Sequence, residues 1–122
     1  MSAKRVLVVD DSETMRDMVS YTLDSAGFEV IDAFDGIDAL EKLAATRVDI
    51  IVTDINMPRL DGIELIVRLR SEKAHKGTPI LCLTTETGND TKDAARSAGA
   101  TGWVQKPFDP DKLVRVVRKV CP

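Results

Sequence analysis

Histidine is nearly missing from this chain, occurring once at His75, and cysteine occurs twice, at Cys82 and Cys121. No cluster of either exists, so nothing competes for a soft metal. Two cysteines at this separation form no disulfide framework, and Cys82, inside the apolar run PILCLTT, reads as a small buried hydrophobe. Long apolar runs are missing too. No stretch approaches the roughly 20 residues of a membrane span. Two cations lie in Met1 to Arg5, but the apolar run that follows stops at Asp10, too short for a secretory signal. There is no basic excess either. With 17 Lys and Arg against 20 Asp and Glu the net charge is −3, which argues against nucleic acid as the main partner. Repeats, low-complexity tracts and linkers are also lacking. These absences point to a soluble, cytoplasmic protein that engages neither membrane nor nucleic acid.

What is present is an alternation of two periodicities over 122 residues, a length suited to one domain spanning 1–122. Apolar runs of strand length occur at Val6–Val9, Phe28–Ile31, Val48–Val52, Ile80–Leu83 and Gly102–Gln105. Most are continuous, the pattern of strands covered on both faces. Helical spacing fills the gaps. Met15, Met18, Val19 and Leu23 share one predicted face, as do Ala39, Leu40 and Leu43. Ala94, Ala95 and Ala98 form a thin fourth stripe, and Leu113, Val116, Val117 and Val120 form a last one. Ser12 and Asp109-Pro110 supply helix starts, while Gly27 and Gly99 sit where left-handed stops belong. The expected class is α/β, a single doubly wound sheet of five parallel strands with helices on both faces.

Ligands of such sheets sit beyond the carboxyl ends of the strands. The first predicted strand ends in Asp10-Asp11, the third in Asp54, the fourth in Thr84-Thr85 and the fifth in Lys106. Two carboxylates about 4 Å apart repel by roughly 4 kcal/mol at an effective dielectric near 20. Three together must take up a proton or bind a cation. Oxygen donors favour a hard divalent ion, Mg²⁺ first, with Mn²⁺ as a substitute. A carboxylate beside a bound cation, with an amine and a hydroxyl opposite, suits phosphoryl transfer onto the carboxylate. Asp54 is the best nucleophile, being on the middle strand ahead of the stiff turn INMP. Asp10 and Asp11 then hold the metal, while Lys106 and Thr84 neutralise and hydrogen-bond the phosphoryl oxygens. Read singly, each residue has a plainer role: Asp10-Asp11 as a helix cap, Asp54 in a turn, Thr84 chosen for its β-branch, Lys106 on the surface.

The segments VLVVDDSETMR, IIVTDINMPRLDGIEL, PILCLTTE and GATGWVQKPF, taken together, resemble response-regulator receiver domains of the stand-alone chemotaxis type. The resemblance spans essentially the whole chain and implies a flavodoxin-like strand order, 2-1-3-4-5. It implies that a histidine kinase's phosphohistidine donates to Asp54. It places Mg²⁺ on Asp11, Asp54 and the main-chain carbonyl of Asn56, with Asp10 acting partly through water. It makes Thr84 and Lys106 the groups that grip the phosphoryl. Movement of Thr84 would then let Trp103 turn inward and reshape the surface of the fourth helix, fifth strand and fifth helix. Asn56 and Glu86 would flank the path of the hydrolytic water and speed loss of the phosphoryl group. Trp103 departs from the tyrosine or phenylalanine usual at its position.

The implied function is a monomeric phosphorylation switch with no output domain, signalling by contact with a flagellar motor switch protein. It would be no enzyme, since no separate substrate is turned over. A phosphate sink or phosphorelay carrier is the alternative within the family. An aspartate-nucleophile phosphatase wants its nucleophile after the first strand and a second acid two residues on, where this chain has Ser12. A flavin-binding module wants a Ser/Thr/Gly-rich phosphate loop where this chain has DDSETM.

Overall fold

Apolar strands with no polar face of their own must be covered on both sides, and the helices between them supply the cover. The computed structural model describes residues 3–85 and 88–121. Its elements alternate as β1 (Arg5–Val9), α1 (Glu13–Ser25), β2 (Glu29–Ala33), α2 (Gly36–Ala45) and β3 (Ile50–Asp54). They continue as α3 (Gly62–Ser71), a 3₁₀ turn (Lys73–His75), β4 (Ile80–Thr84), α4 (Asn89–Ala98), β5 (Gly102–Gln105) and α5 (Pro110–Val120). All strand pairs are parallel and the order is β2-β1-β3-β4-β5. The expected class and order are both found.

Alternate residues of each strand enter opposite halves of the core. Leu7, Val9, Ile51, Ile80 and Cys82 pack beneath α2, α3 and α4, joined by Leu65, Ile66 and Leu69 of α3. Val6, Val8, Ile50, Val52, Leu81 and Leu83 face Val19 and Leu23 of α1 and Leu113 and Val117 of α5. β1, β3 and β4 are buried throughout apart from Arg5, whereas in the edge strand β2 Glu29 and Asp32 are exposed, Val30 and Ile31 half-buried and Ala33 buried. Full burial of one such aliphatic side chain contributes roughly 1.5–3 kcal/mol. Two expected faces need correction. Met18 is 51% exposed, because the face α1 turns to the core carries Val19 and Leu23, with Met15 packed beside them. Ala94 is exposed while Ala95 is buried, so the fourth stripe is narrower than its three alanines suggest.

The helix ends behave as their residues require. Ser12 accepts from the Met15 N–H, and Asp109 accepts from Asp111 ahead of Pro110 in the first turn. Gly27 and Gly99 take φ of +99° and +112°, which glycine adopts without steric cost. A further tie joins three segments at the far end of α3. Arg70 donates from Nε to the Gly99 carbonyl (3.0 Å) and from Nη1 to those of His75 (2.6 Å), Lys76 (3.2 Å) and Thr78 (2.7 Å).

Candidate functional site

β1 and β3 are neighbours whose following helices diverge, and the crevice at their carboxyl ends is the topological switch point of such a sheet. Asp10 follows β1, and its N–H donates to the Ala33 carbonyl at 3.1 Å, extending the pairing with β2. The residue is only 1% exposed. Oδ1 accepts from the Ser12 N–H (2.9 Å) and Oδ2 accepts from Lys106 Nζ (3.0 Å). Asp54, the last residue of β3, is 7% exposed. Its Oδ1 accepts from the Ile55 N–H at 2.8 Å and lies 3.3 Å from Lys106 Nζ. The lysine, 96 residues from Asp10 in sequence, is thus seated between two buried acids.

Asp11 stands at the exposed mouth. One oxygen from each of Asp10, Asp11 and Asp54 lies within 4.8 Å of the others. Hard anionic donors at that spacing, with one open to solvent, fit a small divalent cation that keeps some of its water. Thr84 closes β4, is 1% exposed, and its carbonyl accepts from the Lys106 N–H at 2.8 Å. Asn56 is exposed in the β3–α3 loop, between buried Ile55 and Met57. Glu86 lies outside the described residues. Trp103, on β5, is half-buried against the α2–α3–α4 side of the core. Its ring is flanked by Lys92 (Nζ 5.5 Å from the centroid) and Arg96 (Cζ 5.4 Å), both of α4.

Two supporting pairs escaped the sequence reading. Arg16 donates to the Asp10 carbonyl at 2.9 Å and pairs with Asp32 at 3.3 Å, fixing the start of α1 over the rim. Arg59 donates from Nε to Asp35 Oδ2 at 2.7 Å. Burial opposes ionisation of Asp35, but the Asp38 N–H and the Arg59 guanidinium outweigh it and hold the carboxyl below its ordinary range. The signal available was Asp35-Gly36 ahead of a helix, an N-cap pattern. Nothing in the order of residues pairs it with Arg59.

The family model for the response regulator receiver domain matches residues 6–118. The chain belongs to the response-regulator receiver family. Over 118 residues this receiver is 37% identical to protein PilG of Pseudomonas aeruginosa, with 97% of this chain and 87% of the relative covered. It superposes on the chemotaxis response regulator CheY4 of Vibrio cholerae with a TM-score of 0.93 at 45% identity, covering 98% of this chain and 99% of that one. The receiver domain of the sensor histidine kinase PA1611 of P. aeruginosa gives a TM-score of 0.91 at 26% identity over 98% of each chain. That structure holds a magnesium ion in its active-site cleft. Receivers are signalling switches, and this one is related to chemotaxis regulators. Among its described residues no helix is long and apolar enough to cross a membrane.

The electrostatics of the receiver's rim are unbalanced without a cation. Burial pushes the Asp54 carboxyl above its ordinary value, Lys106 pulls it down, Asp10 pushes it up again, and the net direction is up. The folded state therefore holds that proton to higher pH than the unfolded chain. The contribution of Asp54 to stability is greatest in acid and declines as pH rises from about 3.8 through the folded value. Asp54→Asn is accordingly expected to raise the stability of the metal-free receiver at pH 7. The gain is on the order of 1 kcal/mol, the repulsion relieved less the ion pair given up. Urea denaturation between about pH 4 and pH 8 checks this, and an advantage that fails to shrink in acid would refute the cause given. The neighbouring Cys82 thiol is pushed to about 12 by burial and by the charge of Asp54, which leaves it unreactive.

Proposed function

We propose that this receiver accepts a phosphoryl group on Asp54 from a chemotaxis-type histidine kinase in the cytoplasm. Phosphorylation then alters its α4–β5–α5 face, which binds a flagellar motor switch protein. The observation that carries this reading is the ammonium of Lys106 bridging Asp10 (3.0 Å) and Asp54 (3.3 Å) beside the third acid, Asp11. Lys106 and the Ile55 N–H both engage Oδ1 of Asp54. Oδ2 is the attacking oxygen. It forms a bond to phosphorus as the phosphorus–nitrogen bond of phosphohistidine breaks, and the electron pair stays on the imidazole nitrogen. The acidic site would hold Mg²⁺ through Asp11, Asp54 and the Asn56 carbonyl, with Asp10 partly through water. The ion would offset negative charge on the phosphoryl oxygens.

Once the acyl phosphate exists, Lys106 exchanges a carboxylate for a phosphoryl oxygen, and the Thr84 hydroxyl donates to another. Lys106 and Thr84 are joined by the 2.8 Å bond from the lysine N–H to the threonine carbonyl, so both answer the same event. Trp103, held under Lys92 and Arg96, is the residue through which β5 and α4 share that change. Asn56 and Glu86 set the rate at which water removes the group.

Acetyl phosphate with Mg²⁺ should add one phosphoryl group to the wild type and none to Asp54→Ala, read by intact mass. Labelling that survives the substitution would move the acceptor elsewhere. A purified flagellar switch component should bind more tightly in the presence of beryllofluoride. Equal binding with and without it would remove the motor role and favour a phosphate sink or relay.

A further inference from the structure

The β3–α3 loop contains a backbone conformation that its residue does not favour. Arg59 has φ of +68°, the positive-φ non-glycine residue among those described, and the Leu60 N–H donates to the Pro58 carbonyl at 2.8 Å. A bond across two residues centred on positive φ is a tight γ-turn, strained for a side chain with a Cβ. Such strain persists only where surrounding contacts over-determine it, and it clusters at functional sites.

Those contacts are at the entry to α2. Arg59 donates from Nε to Asp35 Oδ2 at 2.7 Å, and its Nη2 pairs with the same oxygen. Asp35 is 3% exposed and is itself fixed, its Oδ1 accepting from the Asp38 N–H at 2.8 Å as the N-cap of α2. The guanidinium also lies 6.0 Å above the Phe34 ring. Next to this pair, Leu60 is set directly on Gly36, where a Cβ would come within 2.6 Å of the Leu60 carbonyl oxygen. At its base the loop closes through Gly62, whose N–H donates to the Ile55 carbonyl at 2.8 Å. Asn56 lies between the closed base and the Arg59 tie.

We propose that Arg59 is a positioning residue. Latched to Asp35, it holds the β3–α3 loop so that the Asn56 main-chain carbonyl faces the Asp10–Asp11–Asp54 cluster ready for a cation. This rests on the cation reading of that cluster given above. The latch acts through the backbone and touches neither the cation nor the phosphoryl group.

The test is Mg²⁺ affinity of the unphosphorylated protein by calorimetry, with hydrogen exchange of the amides at 56, 57 and 60. Arg59→Ala should weaken Mg²⁺ binding about tenfold, as loss of partners that orient metal ligands does. The loop amides should exchange faster while those of β1 and β3 do not change. Arg59→Lys, which keeps the charge but not the fork, should fall between. Arg59→Gly relieves the strained φ but loses the same tie to Asp35, and should bind Mg²⁺ as weakly as Arg59→Ala. Affinity within twofold of wild type in Arg59→Ala would overturn the proposal. So would recovery in Arg59→Gly, which would assign the effect to backbone strain alone. Asp11→Asn separates the two readings. If it weakens Mg²⁺ binding while Arg59→Ala does not, the cation site stands and the latch falls. If wild type and Asp11→Asn bind alike, or neither binds, both fall.

Discussion

Lys106→Met is expected to lower the stability of the metal-free protein by about 3 kcal/mol at pH 7, the scale for removing one partner from a buried ion pair. Methionine keeps the packing of the aliphatic stem and removes the ammonium from between Asp10 and Asp54. Those side chains, 2% and 11% exposed, would then lie close together without a counter-ion. The restraint that Lys106 places on the Asp54 carboxyl disappears, so the group moves further in the direction burial already drives it. Stability must then fall more steeply with rising pH than in the wild type, from the ordinary carboxylate range upward. Mg²⁺ should bind the variant on the order of tenfold more tightly, since 1.4 kcal/mol of relieved cation–cation repulsion suffices. Urea denaturation at pH 5 and pH 7, with and without Mg²⁺, checks all three. Equal stability of variant and wild type at both pH values would show that the ammonium is not the counter-ion that the geometry makes it.

Gly62→Ala is the second large effect. A Cβ on Gly62 would stand 2.2 Å from the Asp54 carbonyl oxygen and 2.8 Å from the Ile55 Cα. Both neighbours are backbone, so neither can rotate aside. Overpacking of this kind costs typically 1–3 kcal/mol, and the immobility of the neighbours puts the expected loss near the top, about 3 kcal/mol. Relief comes only by shifting Asp54 and Ile55, which carry the proposed acceptor carboxylate and the N–H that donates to it. A displacement near 1 Å at reacting atoms costs roughly a hundredfold in rate, so phosphorylation by acetyl phosphate should slow by about that factor. Gly77→Ala is the control, because nothing lies within 4 Å of the Cβ it would add. It should change stability by less than about 0.5 kcal/mol. A Gly62→Ala protein as stable and as reactive as the control would show that the β3–α3 junction yields more than its contacts allow.

The rim was legible in the sequence because strands announce their ends. Val6–Val9 running into Asp10, and Ile50–Val52 running into Asp54, put charge where an apolar run stops, and a parallel sheet brings such stops to one edge. Lys106 and Thr84 followed by the same logic. The boundaries drifted by a residue or two where apolar residues precede a strand without joining it. Phe28 and Val48 are buried, but pairing begins at Glu29 and Ile50. Met18 misled because its neighbour Val19 takes the face that α1 presents to the sheet. The supporting arginines were not legible at all. Arg16, Arg59 and Arg70 each reach a carbonyl or carboxylate on a different element. Such long polar ties leave no period along the chain, and the surface charge pattern looks the same without them.

The Arg70 tie has a mechanical consequence. Its bonds run to main-chain carbonyls, whose capacity to accept does not vary with acidity, and the guanidinium keeps its proton across the working range. The end of α4 next to Gly99 is therefore a fixed heel, whatever titrates at the opposite pole of the sheet. A helix of ten residues is about 15 Å long, so a tilt of about 10° around that heel carries the Asn89 toe roughly 2.6 Å while Ala98 scarcely stirs. In such a tilt Lys92, nearer the toe, would travel further across the indole of Trp103 than Arg96.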